Sequence, residues 1–185
     1  MLWVRVPPRA NIVKLKMMSN IILIGFMGSG KSEVGIKLAK ELKMKFIDTD
    51  DLIEKAEGKS ISSIFKDRGE EYFRNAETKI LDTLSDYDNF VISTGGGMVL
   101  RGENVDKLKK LGPLILLTAK TNVIIQRLKG VKNRPLLDVP DPEKKINEIL
   151  EYRNPIYEAV ADYRVDTSDA NIDEATKKII EHVKR

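Results

Sequence analysis

The stretch that most constrains this chain is Gly25-Phe26-Met27-Gly28-Ser29-Gly30-Lys31-Ser32, directly after the apolar run Ile21-Ile22-Leu23-Ile24. A strand that empties into a glycine loop and then a helix is the setting in which G-x-x-x-x-G-K-S cradles phosphates. The glycines let backbone N–H groups approach an anion with no Cβ in the way. The helix behind the loop adds unpaired N–H groups and the positive end of its dipole. Lys31 is placed to bridge the outer phosphates of a nucleoside triphosphate, and the Ser32 hydroxyl to sit on Mg²⁺. The loop alone leaves open what the phosphate is used for.

The rest of the chain continues the alternation. β-type runs near residues 20–25, 45–49, 90–93, 114–118 and 163–166 interleave with helical periods. The helical periods fall near 31–43, 50–57, 60–68, 70–86, 102–111, 121–129, 143–160 and 171–184. This predicts an α/β fold of three layers, a five-stranded parallel sheet with helices on both faces. In the first helix Val34, Leu38 and Leu42 recur at four-residue spacing, with Lys37, Lys40 and Lys43 on the other side. Leu114-Ile115-Leu116-Leu117 is unbroken in its apolar character, as a strand covered on both faces requires. Ligands of such sheets gather at the carboxyl ends of the strands. Chemistry is therefore expected just after residues 24, 47, 93 and 117.

A chain of 185 residues suffices for one domain with its own core. Cysteine is absent, which excludes disulfides, thiolate metal sites and a cysteine nucleophile, and fits a reducing, cytoplasmic setting. The lone histidine, His182, falls in a polar C-terminal helix and reads as a solvated surface residue. No apolar stretch approaches the length of a membrane span. The net charge of +4 hints at nucleic acid, but its distribution removes the hint. Residues 1–17 carry Arg5, Arg9, Lys14 and Lys16 and no acid, which leaves 28 basic against 28 acidic residues in 18–185. The basic character belongs to this leader, and no nucleic-acid or membrane partner is expected. Pro7-Pro8 breaks any helix there, and the segment fits neither a signal peptide nor a transit sequence. It reads as an extension ahead of a single domain at 18–185, with a basic arm of independent role as the alternative.

Four further constellations carry chemistry. Asp48-Thr49-Asp50-Asp51 follows the second strand. Asp48 suits a metal-bound water and Asp50 an acceptor hydroxyl, as base or anchor. Alternatively, one of these acids, Asp51 before the others, caps the helix that begins near Leu52. In Phe73-Arg74-Asn75-Ala76-Glu77, Arg74 and Glu77 share a helix face. Glu77 either orients Arg74 toward a substrate carboxylate or forms an ordinary surface pair with it. Thr94-Gly95-Gly96-Gly97 after the third strand offers a backbone that something approaches closely, or a simple loop. Gly130 to Pro140, basic and punctuated by Pro135, suits a lid over phosphates with Arg134 as a cation for the transferring group, or a solvated connection. Arg153, among Tyr152, Pro155, Ile156 and Tyr157, is either a second carboxylate anchor or a stem covering apolar surface.

Together these motifs resemble the shikimate kinase family. The resemblance spans residues 20–184 and rests on Gly25 to Ser32, Asp48-x-Asp50, Phe73-Arg74-x-x-Glu77, Gly95-Gly96-Gly97 and Arg134-Pro135-Leu136-Leu137, with Arg153 before Pro155. It implies the nucleoside-monophosphate-kinase-like P-loop fold, with strand order 2-3-1-4-5. It also implies Mg²⁺-dependent transfer of the ATP γ-phosphoryl group to the 3-hydroxyl of shikimate, on the route to chorismate and aromatic amino acids. In that light Asp50 binds the acceptor hydroxyls and serves as base, with Lys31 and Arg134 stabilising the phosphoryl group. Arg74 and Arg153 hold the shikimate carboxylate, with Glu77 beside Arg74, and Gly95, Gly96 and Gly97 line the acceptor pocket. The nucleotide set becomes Gly28, Ser29, Gly30, Lys31, Ser32, Glu33, Arg127 and Arg134. Arg127 packs on adenine with residues around Ser168 to Ile172. One Mg²⁺ sits on Ser32, with Asp48 acting through water. The lid spans about 130–142, and the expected enzyme is a monomer.

One position departs from the pattern. The family carries a second hydroxyl after Ser32, where this chain has Glu33. A carboxylate is welcome at a helix N-terminus but not beside phosphates. Glu33 is therefore expected to turn away, leaving ATP short of one hydrogen bond, on the order of 1 kcal/mol. Two other readings stand beside the first. A related kinase such as a gluconate kinase also takes an acceptor with a carboxylate and hydroxyls; the triple glycine and the Arg-Pro-Leu-Leu segment favour shikimate. A nucleotide-binding regulatory domain without activity is disfavoured by the joint presence of Lys31, Ser32, Asp48, Asp50 and Arg134.

Overall fold

The computed structural model describes residues 20–131 and 134–184. The leader at 1–17 lies outside them. Five parallel strands form one sheet in the order β2-β3-β1-β4-β5, as expected. They are β1 (Asn20–Ile24), β2 (Lys45–Asp48), β3 (Phe90–Ser93), β4 (Leu114–Thr118) and β5 (Tyr163–Asp166). Seven α-helices lie among the described residues: α1 (Lys31–Leu42), α2 (Thr49–Glu57), α3 (Ile61–Asp82), α4 (Gly102–Leu111), α5 (Thr121–Leu128), α6 (Pro142–Val160) and α7 (Ile172–Val183). Two single 3₁₀ turns, Met98–Leu100 and Pro135–Leu137, escape the sequence reading because each is too short to show a period.

The period-two alternation of the central strand divides the core. Ile22 and Ile24 of β1 join Ile92, Leu114 and Leu116 under α2 to α6. Ile21 and Leu23 join Val91, Ile115, Leu117 and Val165 under α1 and α7. β1 is buried throughout: Ile21 to Ile24 are apolar, and buried Asn20 is satisfied by donating to the Tyr87 and Leu111 carbonyls and accepting from the Phe90 N–H. Register is parallel and continuous, with Ile22 opposite Ile92 on one side and Leu114 on the other. All five strands therefore end along one edge, and the loops after them converge there.

The two helices expected at 60–68 and 70–86 are present within α3: Gly69, with φ 81° and ψ 174°, breaks the helical path between them, a conformation open to glycine at little cost, and the second helix ends at Asp82 rather than near 86. The helix after β2 starts at Thr49 rather than near Leu52, and its cap is Asp48, not Asp51. Asp48 is the last residue of β2, with extended backbone, so its carboxylate reaches forward to the Asp50 N–H at 3.0 Å. Asp51 is already in the first turn. His182 is half-buried and stacked on Tyr163, with ring centroids 3.8 Å apart, rather than freely solvated. No helix of the described residues is long and apolar enough to cross a membrane.

Candidate active site

A cavity of about 620 Å³ opens at the carboxyl edge of the sheet. Its wall includes Gly28, Gly30, Lys31 and Ser32 at one end and Arg74, Glu77, Gly95 to Gly97 and Arg153 at the other. Asp48 and Asp50 lie between, and Arg127 and Arg134 also border it. Strand-end loops 24, 48, 93 and 118 thus gather as the fold rule requires, although the loop after β4 contributes through α5 rather than directly.

The phosphate loop is closed on itself. The Lys31 ammonium donates to the Gly25 and Phe26 carbonyls, both at 2.9 Å. That uses two of its three N–H donors and leaves one for a phosphate oxygen. Burial lowers the Lys31 pKa to about 8, against the upward pull of Asp48 and Asp50. The Ser32 hydroxyl donates to Asp48 Oδ2 at 3.0 Å, while Asp48 Oδ1 holds the Asp50 N–H. Asp48 is therefore both cap and partner of Ser32, so the two sequence alternatives are met by one side chain. Ser32 and Asp48 present hard oxygens of the kind Mg²⁺ takes while keeping much of its water. The residues fit that ion.

The other end is built from side chains. Arg74 is buried, and Nη1 donates to Glu77 Oε2 at 2.6 Å. Glu70, one turn earlier on α3, accepts from Arg74 Nε at 3.2 Å and Nη2 at 2.7 Å through a single oxygen. The two carboxylates occupy three of the five guanidinium donors and leave one hydrogen each on Nη1 and Nη2, the pair suited to a bidentate carboxylate. The triple glycine explains itself here. A Cβ on Gly97 would lie 2.0 Å from Arg74 Nη1, and one on Gly95 would lie 2.5 Å from Asp50 Oδ1 and 2.9 Å from Glu77 Oε1. The expected close approach is thus made by the protein's own charged groups.

Several polar atoms in this region are buried without a hydrogen-bond partner among the described residues: Asp50 Oδ1, Glu77 Oε1 and Arg153 Nε. Native structures rarely leave such atoms alone unless something else serves them. Burial, followed by the charges of Asp48 and Glu77, raises the Asp50 pKa to about 7. Burial also pushes Glu77 upward, against the pull of Arg74. Tyr157, fully buried on α6, donates its hydroxyl to the Gly96 carbonyl and fixes the glycine turn from behind.

At the rim, Arg134 is exposed at the start of the 3₁₀ turn Pro135–Leu137. Arg127 also lies at the surface, yet it is tied to the Gly28 carbonyl and to Thr167. Glu33 borders both the donor end of the cavity and a neighbouring groove formed with Ile36, Lys37 and Asp173. Glu70, Thr167 and Tyr157 are site residues the sequence reading missed. Glu70 had a signal, its four-residue spacing from Arg74; Thr167 and Tyr157 had none, since their partners lie 40 or more residues away.

A phosphate loop facing a pocket of unpaired carboxyl oxygens and guanidinium donors, on a 2-3-1-4-5 sheet, defines a P-loop kinase of small molecules. The comparisons specify which. The family model for shikimate kinase matches residues 27–184. The chain is 49% identical to the shikimate kinase of Caldanaerobacter subterraneus subsp. tengcongensis over 163 residues, covering 88% of this chain and 95% of that one. Against the shikimate kinase of Thermodesulfovibrio yellowstonii it is 48% identical, covering 91% and 96%. Its structure is similar to that of shikimate kinase from Acinetobacter baumannii in complex with shikimate, with a TM-score of 0.87 at 37% identity over 90% and 93% of the two chains. The chain belongs to the shikimate kinase family, whose enzymes work with ATP and Mg²⁺.

Proposed function

We propose that this chain transfers the γ-phosphoryl group of ATP to the 3-hydroxyl of shikimate, with the phosphate loop as donor site and the pocket around Gly95 to Gly97 as acceptor site. The observation that carries the acceptor assignment is the set of unpartnered buried atoms, Asp50 Oδ1, Glu77 Oε1 and Arg153 Nε, beside the open edge of Arg74. Carboxyl oxygens call for hydroxyls, and guanidinium donors call for a carboxylate. Shikimate supplies both.

The acceptor carboxylate meets Arg74 and Arg153, which sets the ring against the glycine turn. Its hydroxyl then faces Asp50, whose pKa near 7 suits a base that takes the proton as the oxygen–phosphorus bond forms. The bond from phosphorus to the β–γ bridging oxygen breaks, and ADP leaves. Such a transition state is loose, so cations matter more than covalent help. Lys31 offers its third N–H to the phosphates, and Arg134 adds charge from the lid at 130–142. Ser32 and Asp48 would hold Mg²⁺, which would supply charge neutralisation on the phosphates. Arg127, beside the Gly28 end of the loop, packs on the adenine. The enzyme acts as a cytoplasmic monomer on two small molecules; the balanced charge of 18–185 supports small molecules rather than nucleic acid as its partners. The 1–17 segment is dispensable to it.

An ADP-release assay decides the matter. Turnover is expected with shikimate and not with gluconate, and is expected to fall in Arg74→Ala through a higher KM for shikimate. Turnover with gluconate alone would overturn the acceptor assignment.

A further inference from the structure

The phosphate loop is held from its outer side by two residues on other elements. Arg127 on α5 donates from Nη1 to the Gly28 carbonyl at 3.0 Å and to Thr167 Oγ1 at 3.1 Å, and from Nη2 to the Thr167 carbonyl at 2.8 Å. Thr167, the first residue after β5, is only 3% exposed. Its N–H donates to the Thr118 carbonyl at 2.8 Å. Its Oγ1 lies 3.0 Å from the carbonyl oxygens of both Ser29 and Thr118.

A hydroxyl has one hydrogen to give. The Thr118 oxygen already accepts the Thr167 N–H, and Arg127 fills an acceptor position on Oγ1. The Ser29 carbonyl is thus the partner that the hydroxyl hydrogen serves best. Two successive loop carbonyls, Gly28 and Ser29, are drawn outward by this pair. The described peptide bonds are all trans. In a planar trans peptide the C=O and the following N–H point opposite ways. Drawing the Ser29 carbonyl outward therefore aims the Gly30 N–H inward, toward the cavity that Gly30 lines.

We propose that Thr167 is a positioning residue for the nucleotide: its hydroxyl, oriented by Arg127, sets the Ser29–Gly30 peptide so that its N–H meets a phosphate. The inference rests on the reading that the nucleotide sits at this loop. Thr167 touches no reacting atom, so its effect is expected on nucleotide binding in ground and transition states alike, not on the chemical step.

The test is calorimetric titration of ADP into the full chain, with KM values for both substrates. Wild type is expected to bind ADP; failure there overturns the nucleotide reading itself. Thr167→Val keeps the shape and removes the hydroxyl. Its ADP Kd and ATP KM are expected to rise roughly five- to tenfold, with the shikimate KM and kcat within about twofold. Thr167→Ser, which restores the hydroxyl, is expected to bind ADP like wild type. Should the valine variant not fold, Thr167→Ala serves in its place, with the same selective loss expected. An ADP affinity unchanged in the variant lacking the hydroxyl, a parallel rise in both KM values, or a serine variant as weak as valine would each overturn the proposal while leaving the nucleotide reading intact.

Discussion

The two ends of the cavity are made of different material. The donor end is mainly backbone: glycine turns, helix N–H groups and one lysine lie in eight consecutive residues, held from outside by the side chains of Arg127 and Thr167. The acceptor end is side chain: Asp50 from α2, Arg74 and Glu77 from α3 and Arg153 from α6 lean on a glycine turn after β3, with Glu70 of α3 holding Arg74 from one turn earlier. A phosphate is the same ligand in every nucleotide enzyme, so a local backbone motif suffices. An acceptor with a carboxylate and several hydroxyls needs donors and acceptors at set positions, which only distant elements can supply. The phosphate motif is therefore largely local, whereas acceptor specificity is tertiary.

This contrast can be broken or sharpened by experiment. The largest effect is expected where the two ends meet, at Asp50. Asp50→Asn should lower kcat by roughly 100-fold or more, with ADP affinity retained. Its folded pKa of about 7 against an ordinary 3.8 also gives a signed stability effect. A raised carboxyl contributes stability while protonated and loses it as pH rises through the folded pKa. Asparagine has no such loss. The melting temperature of Asp50→Asn minus that of wild type should climb from about pH 4 to about pH 7 and level off above. A difference independent of pH would mean that Asp50 is not buried as the geometry has it.

A smaller, selective effect is expected at Glu70. Its carboxylate is half exposed, so its hold on Arg74 is screened. Glu70→Ala should raise the shikimate KM about two- to fivefold and leave the ATP KM alone. Glu70→Gln, which keeps an accepting oxygen, should lie between. An effect on ATP instead would show that the two ends are not separable along α3. The smallest change is expected at Glu33. Replacing this rim carboxylate by threonine should lower the ATP KM by about twofold to fivefold, and kinetics at fixed saturating shikimate would read it. An unchanged ATP KM would show that the charge is harmless where it stands.

The same contrast explains what was legible in the sequence. The central strands β1, β3 and β4 were readable because buried parallel strands are apolar runs, the partly exposed edge strands β2 and β5 show that pattern only weakly, and β3, β4 and β5 carry the expected bounds. The phosphate loop was readable because its motif residues, Gly25 to Ser32, are contiguous. Asp50, Arg74 and Arg153 were readable as chemical types, yet each had a bland alternative until their common cavity was seen. The role of the glycines at 95 and 97 was half legible. Their type announced a close approach, but only the fold shows that Arg74, Asp50 and Glu77 make it. Thr167 was invisible because its value lies in reaching Ser29, 138 residues away. The break at Gly69 was legible as two helices, and the non-helical φ of 81° and ψ of 174° there interrupt the helical path as that reading requires.

Gly97→Ala tests the division between the two ends most directly. The added Cβ would collide with the Arg74 guanidinium, whose atoms are the three nearest to it. Calorimetry with shikimate and, separately, with ADP should show shikimate affinity reduced by more than roughly tenfold, with ADP affinity unchanged. Equal losses for both ligands, or shikimate bound as in wild type, would contradict an acceptor site built around Arg74.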